Sequence, residues 1–224
     1  MNATTGVAYE HVAFDLDGTL IDSRADLAAA VNHVLRGLGL TELAPTTLYR
    51  YVGEGARVLV ERALGPEQQD RLEAGVAAFM TYYEAHLLDA TRPYPGVEAT
   101  LAALAERAVA LSVLTNKPER LSRAILDGLG LTERFVAVVG GDSLPVRKPD
   151  PGGLERLRAL TGTPRERMLL VGDSEIDVRT ARAGGVAFCG VAWGLVPDTL
   201  VAARPERMVA HPEDLVALVA GRAG

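Results

Sequence analysis

The stretch of sequence that decides the fold is Val12-Ala13-Phe14-Asp15-Leu16-Asp17-Gly18-Thr19-Leu20-Ile21-Asp22-Ser23. Its first three residues are apolar and are soon followed by turn residues, which predicts a short buried β-strand that ends at Asp15. Asp17 comes two positions later, and Gly18-Thr19 lets the chain turn sharply. In open α/β sheets, ligands bind at the carboxyl ends of parallel strands. The stretch therefore predicts a strand that places two carboxylates where a ligand can bind.

The two carboxylates point to a cation. Negative charges this close repel each other unless a cation lies between them, and Mg²⁺ prefers oxygen ligands. A turn whose acids face water explains an isolated Asp-x-Asp equally well. The pair alone leaves both interpretations open.

The composition excludes several functional classes. The 224 residues are 48% hydrophobic and 23% charged, which is typical of a globular chain with a substantial core. A formal net charge of −6 argues against a nucleic-acid partner, and an anionic substrate would need local positive charge. The sequence shows no signal peptide and no apolar run that would span a bilayer, so we expect a cytoplasmic protein with no membrane partner.

Helices fill most of the first half of the chain, and strands alternate with helices in the second half. Residues from about 22 to 91 are predicted to be helical, and their aromatic residues, such as Phe79 and Tyr83, are interpreted as core packing. Further strands are predicted at residues 109–114, 136–139, 168–171 and 186–191. This order predicts an α/β fold, a doubly wound parallel sheet with an all-helical insert after the first strand.

Polar residues cluster at the predicted strand ends or in the loops just after them. Four stretches share this position: Asp15-Leu16-Asp17, Thr115-Asn116, Lys148-Pro149 and Gly172-Asp173-Ser174-Glu175-Ile176-Asp177. Each alone has an ordinary explanation, such as a helix cap or a solvated charge. Their order and their matching positions at one edge of the sheet make chance a poor explanation.

Together these stretches resemble the four motifs of the haloacid-dehalogenase-like (HAD) superfamily, and the resemblance covers the chain from about Val12 to Cys189. The details are most similar to its phosphoglycolate phosphatase group: Phe-Asp-Leu-Asp-Gly-Thr-Leu-Ile-Asp-Ser, Val-Gly-Glu-Gly, Tyr-Pro-Gly-Val, Thr-Asn-Lys-Pro, Lys-Pro-Asp-Pro and Val-Gly-Asp-Ser-Glu-Ile-Asp. The resemblance implies a Rossmann-like HAD core of residues 1–21 and 92–224 and a small helical cap domain of residues 22–91. It also implies a Mg²⁺-dependent phosphomonoester hydrolase that acts on a small phosphorylated metabolite, with 2-phosphoglycolate expected.

The resemblance assigns catalytic and metal-binding roles to the acidic residues. Asp15 is the nucleophile and forms an aspartyl-phosphate. Asp17 protonates the leaving alcohol and then activates water. Mg²⁺ is held by the Asp15 carboxylate, the backbone carbonyl of Asp17, and Asp173. Asp177, one helical turn after Asp173, is assigned to the outer shell of the metal, with direct ligation left open.

Three further residues are expected to bind the phosphoryl group. The side chain of Thr115 and the backbone N–H of Asn116 donate hydrogen bonds to its oxygens, and Lys148 supplies fixed positive charge. Lys148 is expected to lie between Asp15 and Asp173, which would keep it charged.

Substrate specificity is expected to come from the cap. A substrate as small as phosphoglycolate leaves few groups to recognise its carboxylate, and arginine binds carboxylates bidentately. Arg50 and Arg57 flank Gly53-Glu54-Gly55, where backbone freedom lets a loop approach the site. They are the candidate substrate-binding residues of the cap, and solvated helix-surface charges are the alternative.

Several rival functions stay open. A phosphatase for another small phosphometabolite, or for a sugar phosphate such as N-acetylmuramic acid 6-phosphate, has the same motifs. A β-phosphoglucomutase-like mutase shares them too, although such mutases carry extra basic residues in the cap. The dehalogenases of the superfamily lack an acid two residues after the nucleophile, which disfavours that activity here. A non-catalytic protein that binds a phosphometabolite is disfavoured because no catalytic position is degraded.

Overall fold

The computed structural model describes residues 8–195 and 197–221, and within them the chain forms eight β-strands and ten α-helices. The strands are β1 (His11–Phe14), β2 (Ile21–Asp22), β3 (Arg92–Pro93), β4 (Ala110–Leu114), β5 (Ala137–Val139), β6 (Met168–Gly172), β7 (Ala187–Val191) and β8 (Met208–Val209). The helices are α1 (Arg24–Gly37), α2 (Pro45–Tyr49), α3 (Ala56–Leu64), α4 (Leu72–Ala85), α5 (Val97–Ala105), α6 (Glu119–Gly128), α7 (Gly152–Thr161), α8 (Glu175–Gly184), α9 (Pro197–Ala202) and α10 (Asp214–Val219).

Six parallel strands form the central sheet in the order β5-β4-β1-β6-β7-β8. Alternate residues of β1 enter different hydrophobic clusters, with Val12 and Phe14 in one and Ala13 in the other. Because successive side chains point to opposite faces of a sheet, both faces of this sheet are covered. The predicted α/β fold with a doubly wound parallel sheet is confirmed.

Along the chain, helices α1 to α4 come after β2 and before β3. These two strands pair as a small antiparallel ribbon, in which Ile21 pairs with Pro93 and Asp22 with Arg92. These helices pack around a third hydrophobic cluster, to which α6 contributes Leu121. Within this segment, residues Pro66–Arg71 form a 3₁₀ helix before α4 begins. The ribbon makes both chain connections to the helical segment leave the sheet side by side.

None of the helices in the described residues is both long enough and apolar enough to cross a membrane. Strand β8 and helix α9 were not predicted from the sequence. Both are short, with two and six residues, and so carry little periodic signal.

A fully buried histidine in β1 makes the stability of the fold depend on pH. His11 lies with Nε2 2.8 Å from Ser112 Oγ and Nδ1 3.1 Å from Thr161 Oγ1. Burial lowers the pKa of His11 to about 4. The unfolded chain therefore takes up a proton below about pH 6.5 that the folded chain does not, and stability is lost as the pH falls.

We expect the His11→Gln variant to lose less stability on acidification than the unmodified protein. The amide can keep hydrogen bonds to the two hydroxyls but does not titrate. Between about pH 7 and about pH 5, the unfolding free energy of the unmodified protein should fall by about 2 kcal/mol more than that of the variant. Urea titrations of both proteins at the two pH values measure it, and parallel pH profiles would contradict the assignment of His11.

Candidate active site

The four polar stretches predicted from the sequence meet at the carboxyl edge of the sheet. Asp15 directly follows β1, Thr115 follows β4 and Asp173 follows β6. Lys148 reaches them from the loop between β5 and α7. All four side chains are buried, with at most 6% of each residue exposed.

Lys148 is tied to two carboxylates. Its Nζ lies 2.9 Å from Oδ1 of Asp15 and donates a 2.6 Å hydrogen bond to Oδ1 of Asp177. Burial opposes the charge of this ammonium, but the two carboxylates together raise its pKa above the usual value. Of the two expected neighbours, Asp15 pairs directly with Lys148, and Asp173 interacts with it electrostatically without an ion-pair contact. Asp177 supplies the second ion pair because the first turn of α8 places its carboxylate beside Lys148.

Three buried carboxylates stand close enough to share a metal ion. Oxygens of Asp15, Asp173 and Asp177 all lie within 4.8 Å of one another. Burial raises the pKa of Asp15 to about 7 and that of Asp173 well above its ordinary value. One lysine does not balance three carboxylates, so a further cation is needed for all three to be ionised at neutral pH. This donor set suits a hard divalent cation.

Asp177 also shapes the start of α8. Its Oδ2 accepts hydrogen bonds from the backbone N–H (3.2 Å) and the hydroxyl (2.6 Å) of Ser174, which completes a capping box. Both of its oxygens are therefore engaged by protein groups. This arrangement holds α8 against the site.

The loop of residues 192–195, which follows β7, closes around Asp173. The backbone N–H of Leu195 donates a 2.7 Å hydrogen bond to Oδ2 of Asp173. A Cβ at Gly18, whose φ is +86°, would lie 2.2 Å from that same oxygen, and a Cβ at Gly194 would lie 2.2 Å from Cβ of Asp173. Trp193 donates from Nε1 to the carbonyl of Thr19 at 3.1 Å. In the sequence, Gly194 shortly after the end of β7 is the feature that could have pointed to this loop.

Asn116 connects the sheet edge to the helical segment. Its Nδ2 donates to the carbonyl of Gly53 (3.2 Å) and to that of Lys148 (3.1 Å). Gly55 approaches as well, since a Cβ there would lie 3.3 Å from the carbonyl oxygen of Asn116. The glycine-rich loop therefore comes close to the site, as its backbone freedom indicated. Beside it, the Thr115 hydroxyl accepts a 3.2 Å hydrogen bond from the N–H of Lys117.

Asp17 is held by a lysine that the sequence analysis did not select. Nζ of Lys117 donates to both carboxylate oxygens of Asp17, at 2.9 and 2.8 Å, and to Oη of Tyr83 on α4 at 2.8 Å. Burial raises the pKa of Tyr83 to about 12, so its hydroxyl stays protonated at neutral pH. Tyr83 packs in the core as predicted, but its hydroxyl also reaches the site. The signal that could have found Lys117 is its rarity, because it and Lys148 are the only two lysines in the chain.

The side chain of Ser23 contacts the site instead of capping the helix that follows it. Ser23 precedes α1, but its hydroxyl makes no capping hydrogen bond. Instead the hydroxyl donates to Oδ1 of Asp17. A carboxylate acceptor makes a stronger hydrogen bond than a neutral group, which explains the preference.

A cavity between the helical segment and the sheet edge contains the reactive groups. Its lining residues are Asp15, Asp17, Leu27, Val52, Gly53, Gly55, Ala56, Leu59, Phe79, Met80, Tyr83, Thr115, Asn116, Lys117, Pro118 and Leu121. Among these, Tyr83 is the only one from the helical segment with a polar side chain. Lys117 is the only cation in the set.

The structure does not bring Arg50 or Arg57 to this cavity. Arg57 is exposed and pairs with Glu73 at 2.6 Å. Arg50 is also exposed and lines a separate groove beside Ser174 and Glu175. The directions of the two arginine side chains depend on how their helices are oriented. The spacing of the arginines around the glycines does not reveal this orientation.

Buried carboxylates and lysines at the carboxyl edge of a doubly wound sheet, facing a cavity under a helical segment, define an α/β enzyme. Residues 12–191 match the sequence profile of the haloacid dehalogenase-like hydrolases. The chain belongs to this family.

Relatives with assigned names support a more specific class. The chain is 42% identical over 219 residues to the phosphoglycolate phosphatase of Neisseria gonorrhoeae, which covers 92% of this chain and 93% of that protein. It is 36% identical over 218 residues to that of Mesorhizobium japonicum, covering 94% and 95%. The crystal structure of a predicted phosphoglycolate phosphatase from Haemophilus somnus superposes with a TM-score of 0.89 at 30% identity, covering 97% of this chain and 99% of that one. The family and these relatives indicate a phosphatase.

Proposed function

We propose that this protein is a Mg²⁺-dependent phosphatase that hydrolyses 2-phosphoglycolate to glycolate and phosphate through an aspartyl-phosphate. The observation that carries the proposal is the position of Asp15, buried at the end of β1 between Lys148 and two further carboxylates. The relatives named phosphoglycolate phosphatase support the substrate. The cytoplasmic location expected from the sequence stays a prediction.

Asp15 is the nucleophile in this proposal. Its carboxylate oxygen attacks phosphorus, the bond from phosphorus to the alkoxy oxygen breaks, and Asp17 gives that oxygen a proton. Asp17 then takes a proton from a water that attacks the aspartyl-phosphate, which releases phosphate and restores Asp15. The hydroxyl of Thr115, the backbone N–H of Asn116 and Nζ of Lys148 hold the phosphoryl oxygens.

The residues at the site fit a magnesium ion. Asp15, Asp173 and the backbone carbonyl of Asp17 would hold it, because they provide oxygen donors at the sheet edge. Asp177 would act from the outer shell, since both of its oxygens are already bonded to Lys148 and Ser174. When bound, the ion supplies positive charge that offsets the charge of the phosphoryl group.

Residues 22–91 act as a cap over a core of residues 1–21 and 92–224 in this proposal. The β2–β3 ribbon carries both connections, and the helices above it have their own hydrophobic cluster. Asp26 in α1 strengthens this hinge, because its carboxylate accepts hydrogen bonds from the backbone N–H groups of Ala90 and Thr91 and from the Thr91 hydroxyl. Closure of the cap would restrict water at the aspartyl-phosphate.

The cavity lining favours a small substrate over a sugar phosphate. A sugar such as N-acetylmuramic acid 6-phosphate needs several hydrogen-bonding partners for its hydroxyls, and unpaired polar groups are costly when buried. Of the lining residues in the helical segment, only Tyr83 offers a polar side chain. The lining also lacks the basic cap residues that a mutase would use for a second phosphate.

A panel of phosphomonoesters tests the proposed function. We expect the purified protein with Mg²⁺ to release phosphate from 2-phosphoglycolate with a kcat/KM at least about tenfold above that for ethyl phosphate, a hexose 6-phosphate or N-acetylmuramic acid 6-phosphate, the scale of one charge-assisted contact. Highest activity on a sugar phosphate would reject the substrate. No phosphate release from any ester would reject the phosphatase, and interconversion of hexose phosphates would identify a mutase.

A further inference from the structure

The two lysines of the chain divide the site between them. Lys148 pairs with Asp15, the proposed nucleophile, and Lys117 pairs with Asp17, the proposed acid. Lys148 has a role in the proposed reaction, because it holds the phosphoryl oxygens. Lys117 has no role in the proposed reaction, although it is 7% exposed and lines the cavity. Burying an ammonium is costly, so its position calls for an explanation.

The contacts of Lys117 leave Asp17 fully engaged. Both oxygens of Asp17 accept from Nζ of Lys117, and one also accepts from the Ser23 hydroxyl. An anionic group of the substrate that contacts Lys117 must therefore lie beside Asp17.

The proposed substrate has an anionic group that would lie there. In 2-phosphoglycolate the carboxylate is attached to the carbon that bears the leaving oxygen, so its oxygens lie within about 4 Å of that oxygen. Asp17 must reach the leaving oxygen, and Nζ of Lys117 lies 2.8 Å from Asp17. A bound substrate therefore brings its carboxylate next to Lys117.

Among the described residues that line the cavity, Lys117 is the only one with a cationic side chain. The cap wall around it is formed by apolar side chains and glycines, apart from Tyr83. The hydroxyl of Tyr83 accepts a hydrogen bond from Lys117 and can donate its own hydrogen to a carboxylate. Lys117 comes from the sheet edge and Tyr83 from α4, so together they span the boundary between the core and the cap.

We propose that Lys117 and Tyr83 bind the carboxylate of the substrate, with Lys117 moving from Asp17 to this carboxylate. The proposal rests on the proposed function and replaces Arg50 and Arg57 as the source of specificity. It makes the second anionic group of the substrate part of its recognition, because an ester without that group offers Lys117 and Tyr83 no carboxylate to bind.

The test compares two esters that differ in the carboxylate. Lys117→Met should lower kcat/KM for 2-phosphoglycolate by roughly 30-fold more than for ethyl phosphate, the scale of a lost charge-assisted hydrogen bond. Tyr83→Phe keeps the ring in the core and should lower kcat/KM for 2-phosphoglycolate by roughly fivefold more than kcat/KM for ethyl phosphate. Arg36→Met is the control, because Arg36 lies on the cap surface and pairs with Glu42. This variant should leave kcat/KM unchanged for both esters.

Two inhibitors test the binding of the carboxylate without turnover. In 3-phosphonopropionate a methylene replaces the leaving oxygen, and propylphosphonate lacks its carboxylate. Lys117→Met should raise the inhibition constant of the former by roughly tenfold or more and leave that of the latter unchanged. Equal changes for the two inhibitors, or for the two esters, would overturn the role of Lys117 and Tyr83 and leave the phosphatase assignment standing. A parent protein that prefers a sugar phosphate would instead reject the proposed substrate.

Discussion

Replacing Asp15 with asparagine should reduce turnover by roughly 10,000-fold or more while leaving the fold intact. The amide is not a nucleophile, so no aspartyl-phosphate forms. The structure predicts that folding survives, because an asparagine oxygen can still accept the hydrogen bonds that Asp15 accepts from Lys148 and from the backbone N–H of Leu16. The substitution also removes one of three crowded carboxylates, which relieves their repulsion.

The measurement pairs steady-state phosphate release with thermal unfolding in chelator. The Asp15→Asn protein should unfold at or above the temperature of the unmodified protein. Acid quenching followed by peptide mapping should find a phosphorylated peptide containing Asp15 only in the unmodified protein. Asp70→Asn, on the exposed surface of the helical segment, is the matched control and should retain full activity. Activity of the Asp15→Asn protein within tenfold of the parent would remove Asp15 from the role of nucleophile.

Removing divalent cations should abolish activity, and Mg²⁺ should restore it. The reason is the charge balance of the site, where one lysine faces three buried carboxylates. Ca²⁺ should support little activity, because it takes more ligands at longer distances and would let Asp15 bind bidentately, which turns the attacking oxygen away from phosphorus.

Binding can be measured without turnover. At saturating concentration, Mg²⁺ should raise the unfolding temperature by roughly 5 °C, since a ligand that binds only the folded state stabilises it. Asp173→Asn should lose most of this shift, because the amide keeps the hydrogen bond from Leu195 but not the negative charge. Full activity in chelator, or an equal Mg²⁺ shift in the Asp173→Asn protein, would refute the metal site.

The sequence alone was sufficient for the α/β fold and for the side chains that gather at the sheet edge. Short apolar strands such as β1 and the turn residues after them are local features, and their order along the chain determines which loops share an edge. Asp15, Thr115, Lys148 and Asp173 were found in this way, because each directly follows a strand or lies in a loop at the same edge.

Only the tertiary structure revealed the partners of these groups. Asp177 rather than Asp173 pairs with Lys148, and the loop at Gly194 closes on Asp173, because side-chain direction depends on how α8 and β7 pack. Arg50 and Arg57 flank the predicted loop but point away from the cavity, while Lys117 and Tyr83 enter it. Asp17 and Lys117 are 100 residues apart, and Lys117 and Tyr83 are 34 apart. Such contacts join the helical segment to the sheet edge, which pack around separate hydrophobic clusters, and no local pattern encodes how these elements are oriented.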